Sequence, residues 1–385
     1  MISKFYSEAL LDRDYAVEQR RWMHMHPEKS HCEVETTAHI RAELDKLNVP
    51  YEAVGKNITI GEIRGNEDGP IIALRADIDA LEISEKNDVS YKPVNPGLMH
   101  ACGHDAHAAA LLTAARVLLA HRNEFSGTVR LIFQPAEEHG EGALQVVQTG
   151  LLNDVEAFFG IHVRAMMPVG KIALKSGPVM GGANSLKIKL TGSSGHGGRP
   201  HQAIDTIAAG VEIVQGLQQI VSRELDPVDP AVISVCQFHA GTRDNIIAGE
   251  ASISGTVRIL HERTRKYIEE AVPRIVHNIA SAHRVSAQTE CEFATSILEN
   301  SPVLQPYVER AAAAVLSSEA IIESTPELGT EDFSVYGKLA PAYFAFVGAG
   351  GTSPHHSDTF NIDEESIVIS AALHTAFVFE YLAKE

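Results

Sequence analysis

The sequence predicts an α/β protein, a mostly parallel sheet sandwiched by helices, with a smaller α+β unit inserted in it. Three observations predict this. Short apolar, β-rich runs alternate with helical patterns over residues 1–182 and again from Pro302 to the end. The texture changes at the glycine-rich "GPVMGGAN", which reads as a hinge over residues 177–184. A length of 385 residues also exceeds what one core comfortably fills, so two domains are expected.

The elements follow in order. Apolar positions at helical spacing cover residues 7–26 and 34–47. The runs "ITIGEIRG", "PIIALRAD", "TVRLIFQP" and "AFFGIHV" are rich in β-branched and aromatic residues, as buried strands are. Helical patterns over 106–121 and 142–149 lie between some of them and supply the crossovers that parallel strands need. Beyond the hinge, "SLKIKLTG" alternates with period two and a helix follows over 204–223. Strands "AVISVCQFHA" and "GEASISGTVRIL", a helix over 262–283 and a strand "SAQTECEFA" complete the unit. That βαββαβ order is a self-contained split unit. The expected boundaries are 1–182 and 296–385 for a discontinuous catalytic domain, and 183–295 for the insert.

Composition narrows the function. Hydrophobic residues make up 44% and charged residues 21%, an ordinary globular balance. The net charge of −18 opposes a phosphate backbone, so no nucleic-acid partner is expected. No apolar run approaches the ~20 residues of a membrane span, so no membrane partner is expected either. The stretch "MISKFYSEALLDRDYAVEQRRW" mixes acids and bases without an apolar segment, unlike a signal peptide. Cys32, Cys102, Cys236 and Cys291 form no CxxC pair, which suits a reducing cytoplasm.

Ligands of open α/β sheets bind beyond the carboxyl ends of the strands, and there the chain places its chemistry. Asp77 and Asp79 follow "PIIALRA", Glu137 and Glu138 follow "TVRLIFQP", His162 follows "AFFGI", and His355 and His356 follow "AYFAFVGAGG". Cys102 and His104 stand in "LMHACGHDAHAAALL", at the entry to an alanine-rich helix. Five loops thus bring an acid, an imidazole or a thiol to one rim. A thiolate, imidazoles and a carboxylate suit zinc, or manganese with a less usual thiolate. Two such ions ~3.5–4 Å apart would activate a water and clamp the developing oxyanion. Adjacent glutamates can then divide the work, one ligating and one taking the water's proton. Blander readings stand beside these. Asp105 is either a helix cap or a support for the site, Glu137 and Glu138 are either rim acids or a solvated pair, and one of His355 and His356 is incidental. His107 would orient a neighbour.

The motifs "RRWMHMHPE", "ALRADIDAL", "MHACGHDAH", "FQPAEE", "GIHV", "GHGGRPH", "GTEDF" and "HHSDTFNIDEE" span nearly the whole chain. In this order they resemble the aminoacylase/carboxypeptidase family of dinuclear metallopeptidases. The chain is most similar to its amidohydrolase branch, with hippurate hydrolases, indole-acetyl-amino-acid hydrolases and N-acetyl-diaminopimelate deacetylases. The resemblance implies a zinc-exopeptidase-like fold with an inserted dimerisation or lid domain. It also implies two divalent ions per subunit, zinc or manganese, held by Cys102, His104, Glu138, His162 and His356, with Cys102 bridging. Glu137 would be the general base and Asp79 would buttress the site. His196 would reach the site of a partner subunit in a homodimer or homotetramer, and Asn245 and Arg258 would bind the substrate's carboxylate. The implied activity is hydrolysis of N-acyl amino acids, with a dipeptidase or carboxypeptidase, or a non-catalytic binding relative, as alternatives. Three stretches depart from the branch: Glu82 and Asp358 replace common prolines, and Lys29, His31 and Cys32 stand where relatives are more apolar.

Overall fold

The computed structural model describes residues 4–382 and divides into two units. The first comprises the chain up to Gly177, Glu299–Thr325 and the chain from Asp332 onward; the second comprises Pro178–Leu298 with Pro326–Glu331. Residues 1–3 of the N-terminal stretch and 383–385 of the last segment lie outside the described residues.

The chain opens with α1 (Lys4–Leu11), α2 (Arg13–Met25) and α3 (Val34–Lys46). Strands β1 (Tyr51–Val54), β2 (Ile58–Arg64) and β3 (Ile71–Asp77) precede α4 (His104–Ala120) and β4 (Thr128–Gln134). Then come α5 (Gly142–Gln148), β5 (Ala157–Arg164), β6 (Ile172–Leu174) and β7 (Gly177–Met180). The second unit contributes β8 (Gly182–Thr191), β9 (Gly195–His196), α6 (Thr206–Gln219) and β10 (Ala231–Ala240). It continues with β11 (Ile246–Ile247), β12 (Glu250–Ile259), α7 (Glu262–Ala282) and β13 (Ser286–Thr295). The return runs through β14 (Leu298–Asn300), α8 (Gln305–Ala313), β15 (Ile321–Glu323), β16 (Ala342–Gly348) and α9 (Glu365–Leu382). The helix expected over 7–26 is thus two helices, broken at Asp12, whose carboxylate pairs with Arg116 of α4 at 2.7 Å.

In the first unit an eight-stranded sheet runs β1-β2-β4-β3-β5-β16-β6-β15. The strands β4, β3, β5 and β16 are parallel neighbours, and antiparallel pairing is left to β1–β2, β2–β4 and β16–β6. Four carboxyl ends therefore meet at one edge of the sheet. Side chains alternate across the sheet, so consecutive phenylalanines serve both layers. Phe159 stacks on Phe377 of α9 at 4.4 Å, and Phe158 stacks on Tyr336 at 5.1 Å. The sheet is covered on both faces.

Helix α9 corrects one expectation, because it is long and apolar enough by composition to cross a membrane. It is apolar on every side because it is a core helix, buried along most of its length beside α4 and α8. Within it, burial holds the His374 imidazole down to about 3, and the charge of His107 adds to the effect. An unfolded chain takes up that proton near pH 6.5, so the unfolded state is favoured as pH falls below 6.5. The stability is present above pH 6.5 and lost progressively toward pH 3, by up to ~1.4 kcal/mol per unit. Thermal midpoints measured from pH 7 to 4.5 are expected to fall less steeply in His374→Gln than in the wild type. Parallel slopes would count against this assignment.

In the second unit the sheet is antiparallel, in the order β10-β12-β8-β13. Leu186, Ile188 and Leu190 of β8 pack with Ile213 and Leu217 of α6 and Ile268, Val272 and Val276 of α7. The intervening Lys187 and Lys189 are exposed, as period two requires. Asp205 starts α6 by accepting from the amides of Ile207 and Ala208, satisfying donors the helix cannot. The βαββαβ order is that read from the sequence.

Candidate metal centre

The site stands at the carboxyl edge of β3, β4, β5 and β16 in the first unit, and local backbone demands explain its loops. Gly103 has φ +90°, and a Cβ there would lie 2.5 Å from the Val163 side chain. Glycine therefore lets Cys102 and His104 flank a turn pressed against β5. After β4, Ala136 adopts a left-handed φ of +53°, which costs a residue with a Cβ about 1–2 kcal/mol. The turn that follows closes through Gly140 N–H to the Glu137 carbonyl (2.7 Å) and Gly142 N–H to the Ala136 carbonyl (3.2 Å). The His356 amide donates to the Ala101 carbonyl at 2.9 Å, tying the last loop to the one before α4.

Among the groups of three ligand atoms that lie close together, two share Cys102, and a third joins His104, Glu137 and Glu138. Cys102, His104 and His162 form one Cys102 set and Cys102, Glu138 and His356 the other, each within 4.8 Å. Cys102 belongs to both. Its Sγ is 3.5 Å from His162 Nε2, and Glu138 Oε1 is 3.5 Å from His356 Nε2 and 3.9 Å from His104 Nε2. Glu137 faces His104, Oε2 to Nε2 4.0 Å, with its side chain only 10% exposed, and belongs to neither Cys102 set. The adjacent acids both stand at the rim, their oxygens within 4.8 Å of each other and of His104, and only Glu138 also joins the set with Cys102 and His356.

Supporting contacts fix the ligands. Asp79 is 3.1 Å from His104 Nδ1 and accepts from Ser30 Oγ (2.6 Å) and the Glu138 amide (3.1 Å). It thereby aims His104 Nε2 inward. His107 Nε2 accepts from the Val163 amide (2.9 Å), so its Nδ1 donates to Asp77 (2.5 Å) and the ring clamps β5 beside His162. Asp77 pairs with buried Arg75 (2.6 Å), whose other nitrogens reach Asp332 and Gln134, both at 2.9 Å. Asp332, whose part the sequence leaves open, also accepts from the Ala143 amide at 2.8 Å. Removing one partner of such a buried pair costs about 3–5 kcal/mol.

The electrostatics call for a cation. Burial pushes the Cys102 thiol well up, and Glu138 adds to it; burial likewise raises Glu138. Burial, with His107 and His355, holds His162 well down and neutral. Burial opposes charge on His104, yet Asp77, Cys102 and Asp79 together outweigh it and raise the imidazole well above its ordinary value. Burial would raise Asp77 too, but Arg75 and the two histidines hold it well below the usual carboxylate range. His104 Nε2 and Glu138 Oε1 are buried with no hydrogen-bond partner among the described residues. Orphaned atoms facing each other, in a donor set of sulfur, nitrogen and oxygen, fit divalent metal.

The remaining sequence candidates fall as follows. Asp105 is not the N-cap, since α4 begins one residue earlier; its Oδ1 accepts from the Ala106 amide (3.0 Å) and its Oδ2 takes Arg20 Nε (2.9 Å) and His24 Nδ1 (2.8 Å). His355 accepts from the Ala165 amide at 3.0 Å, leaving His356 to face Glu138. His196, Asn245 and Arg258 belong to the second unit. His196 is exposed on β9, paired with β11, and Asn245 receives the Gly197 amide through its carbonyl at 2.9 Å. Arg258 of β12 donates to the Leu328 carbonyl at 3.0 Å. Two departures from the family pattern have partners. Glu82 meets Lys29 at 3.2 Å and Asp358 meets Lys86 at 2.6 Å, exposed pairs that contribute little to stability. Sequence reasoning missed Ser30, Glu33 and Arg75; only the adjacency of Ser30 and Glu33 to "HPE" marked their stretch.

Comparison with known proteins places the chain in a family. Residues 73–380 match the profile of the Peptidase family M20/M25/M40. The chain is 39% identical over 360 residues to N-acetylcysteine deacetylase of Bacillus subtilis (strain 168), covering 92% of this chain and 93% of that protein. It is 37% identical to thermostable carboxypeptidase 2 of Saccharolobus solfataricus across the whole of both chains. Among solved structures, the YXEP protein of Bacillus subtilis, a dinuclear metal-binding peptidase of the M20 family, superposes with a TM-score of 0.87 and 35% identity. That match covers 96% of this chain and 98% of the other.

Proposed function

The chain belongs to peptidase family M20/M25/M40 and is a hydrolase of amide bonds, and from that premise we propose that it cleaves N-acyl amino acids with Glu137 as general base. The observation that carries the reading is the shared Cys102, common to two ligand sets with Glu137 beside them but in neither. Cys102, His104 and His162 would hold one divalent ion and Cys102, Glu138 and His356 the other, zinc or manganese. Bound there, the ions supply positive charge that acidifies a water and polarises the scissile carbonyl. Glu137 takes the proton from the attacking water and delivers it to the leaving amine. Asp79 keeps His104 in the tautomer that presents Nε2 to the site.

The decisive experiment is release of free amino acid from N-acetyl, N-benzoyl and dipeptide substrates. It uses enzyme stripped of metal and then given Zn²⁺ or Mn²⁺. Metal-dependent release from the acylated substrates is expected. Release from dipeptides alone would favour a peptidase, the reading supported by the identity to a named carboxypeptidase. No release from either would point to an amide substrate outside this panel or to a binding role.

The second unit is proposed to form a homodimer. Supporting this, β10 is an edge strand, and Val232 on it, with Ile207 and Val211 of α6, exposes 40%, 42% and 48% of its surface. His196 is proposed to serve the site of a partner subunit, and Asn245 and Arg258 to hold the substrate's carboxylate. His196→Ala is expected to lower turnover about 10²-fold without changing metal content. A matching loss of metal, measured by elemental analysis, would contradict that role. The four free cysteines support a reducing cytoplasm as the compartment.

A further inference from the structure

Glu33 is a fully buried carboxylate that the reaction as described does not use. It stands at the N-cap of α3, yet its side chain caps none of that helix's amides. Its three donors are neutral: the His31 amide at 3.0 Å, the Ala136 amide at 2.8 Å and Asn57 Nδ2 at 2.9 Å. Burying a carboxylate without a cation is costly, so what it holds matters. Its Oε1 holds Ala136, the left-handed residue immediately before Glu137 and Glu138. The Ala136 carbonyl in turn receives the amides of Glu141 (3.4 Å) and Gly142 (3.2 Å), so both polar groups of this peptide are committed to the turn.

The two glutamates are not equally dependent on this brace. The Glu138 amide has its own anchor on Asp79 at 3.1 Å. Glu137 stands next to Ala136, between the brace and that anchor.

We infer that Glu33 is a positioning residue for the hydrolytic reaction: by fixing Ala136 in the left-handed conformation it aims Glu137 at the attacking water. This rests on Glu137 being the general base. Glu33→Met keeps the reach of the side chain and removes both acceptor oxygens, whereas glutamine would still offer an oxygen to the Ala136 amide. Its kcat is expected to fall about 10–100-fold with KM within about twofold, because a misplaced base affects turnover more than binding. Metal content is expected to stay at the wild-type value. Glycine adopts a positive φ without steric cost, so adding Ala136→Gly is expected to recover most of the lost kcat. Asn57→Ala removes only the donor on the other carboxylate oxygen. It is expected to lower the thermal midpoint while keeping kcat within about twofold.

Steady-state kinetics and elemental analysis on the metal-loaded full chain test these expectations. Unchanged kcat in Glu33→Met, no recovery in the double variant, or an equal kcat loss in Asn57→Ala would each overturn the inference. Should Glu33→Met alone fold poorly, the double variant is compared with Ala136→Gly alone. Matched kcat supports the brace, and a further tenfold drop overturns it. Glu137→Ala run in parallel separates the two readings. Activity surviving there removes the base, whereas an inactive Glu137→Ala beside a fully active Glu33→Met removes only the brace.

Discussion

Glu137→Ala is expected to keep the wild-type metal content and to hydrolyse N-acetyl amino acids about 10³–10⁴-fold more slowly than the wild type. The division follows from the Cys102 sets. Glu138 Oε1 lies among His104, His356 and Cys102, whereas Glu137 belongs to neither Cys102 set and stands beside Glu138, facing His104 at 4.0 Å. Deleting Glu137 therefore removes a proton acceptor and leaves all five ligand side chains in place. Stopped assays with elemental analysis on the same sample decide the matter. Turnover within tenfold of wild type would transfer the proton to another group, and a lost ion would make Glu137 a ligand.

Cys102→Ala is expected to have the largest effect on metal, taking content from about two ions per chain to well under one. A ligand that serves one ion costs one ion; Cys102 is common to both sets. His162→Ala and His356→Ala belong to one set each, so each is expected to forfeit a single ion. Equal, one-ion losses in all three variants would show that Cys102 does not bridge. Gly103 makes Cys102 hard to replace by moving the chain, because a Cβ beside it would press on Val163 at 2.5 Å.

Much of this was legible in the sequence for a simple reason. Parallel strands announce themselves as apolar runs, and whatever follows each run must stand at the same edge. Asp79, Glu138 and His356 could therefore be grouped across nearly 280 positions of chain without coordinates. The alternation of "SLKIKLTG" likewise gave away the insert, since only a strand with one covered face requires it. What was hidden depends on contacts without a local signal. Nothing near Glu33 says that its carboxylate holds an amide 103 residues away, and nothing in "FQPAEE" says that Ala136 carries positive φ. Asp105 before the alanines is either a cap or a support on sequence alone. Only the arrival of Arg20 and His24 from α2 shows its buried oxygen at work away from the helix. The membrane-like composition of α9 was missed because its apolar residues are spread around the helix rather than gathered in one run.

The strand order has a consequence for how the protein is made. β5 takes β3 on one side and β16 on the other, and β16 leaves the ribosome only after the whole second unit has been synthesised. Until then the nascent chain presents a bare, apolar strand edge bearing His162, the kind of edge that recruits chaperones or a neighbouring chain. His356 follows β16 directly, so the second ligand set closes at the same moment as the sheet. With the ligand sets proposed above, metal capture would be a late event of biosynthesis, and a product truncated before β16 would carry half a site on an unsealed edge.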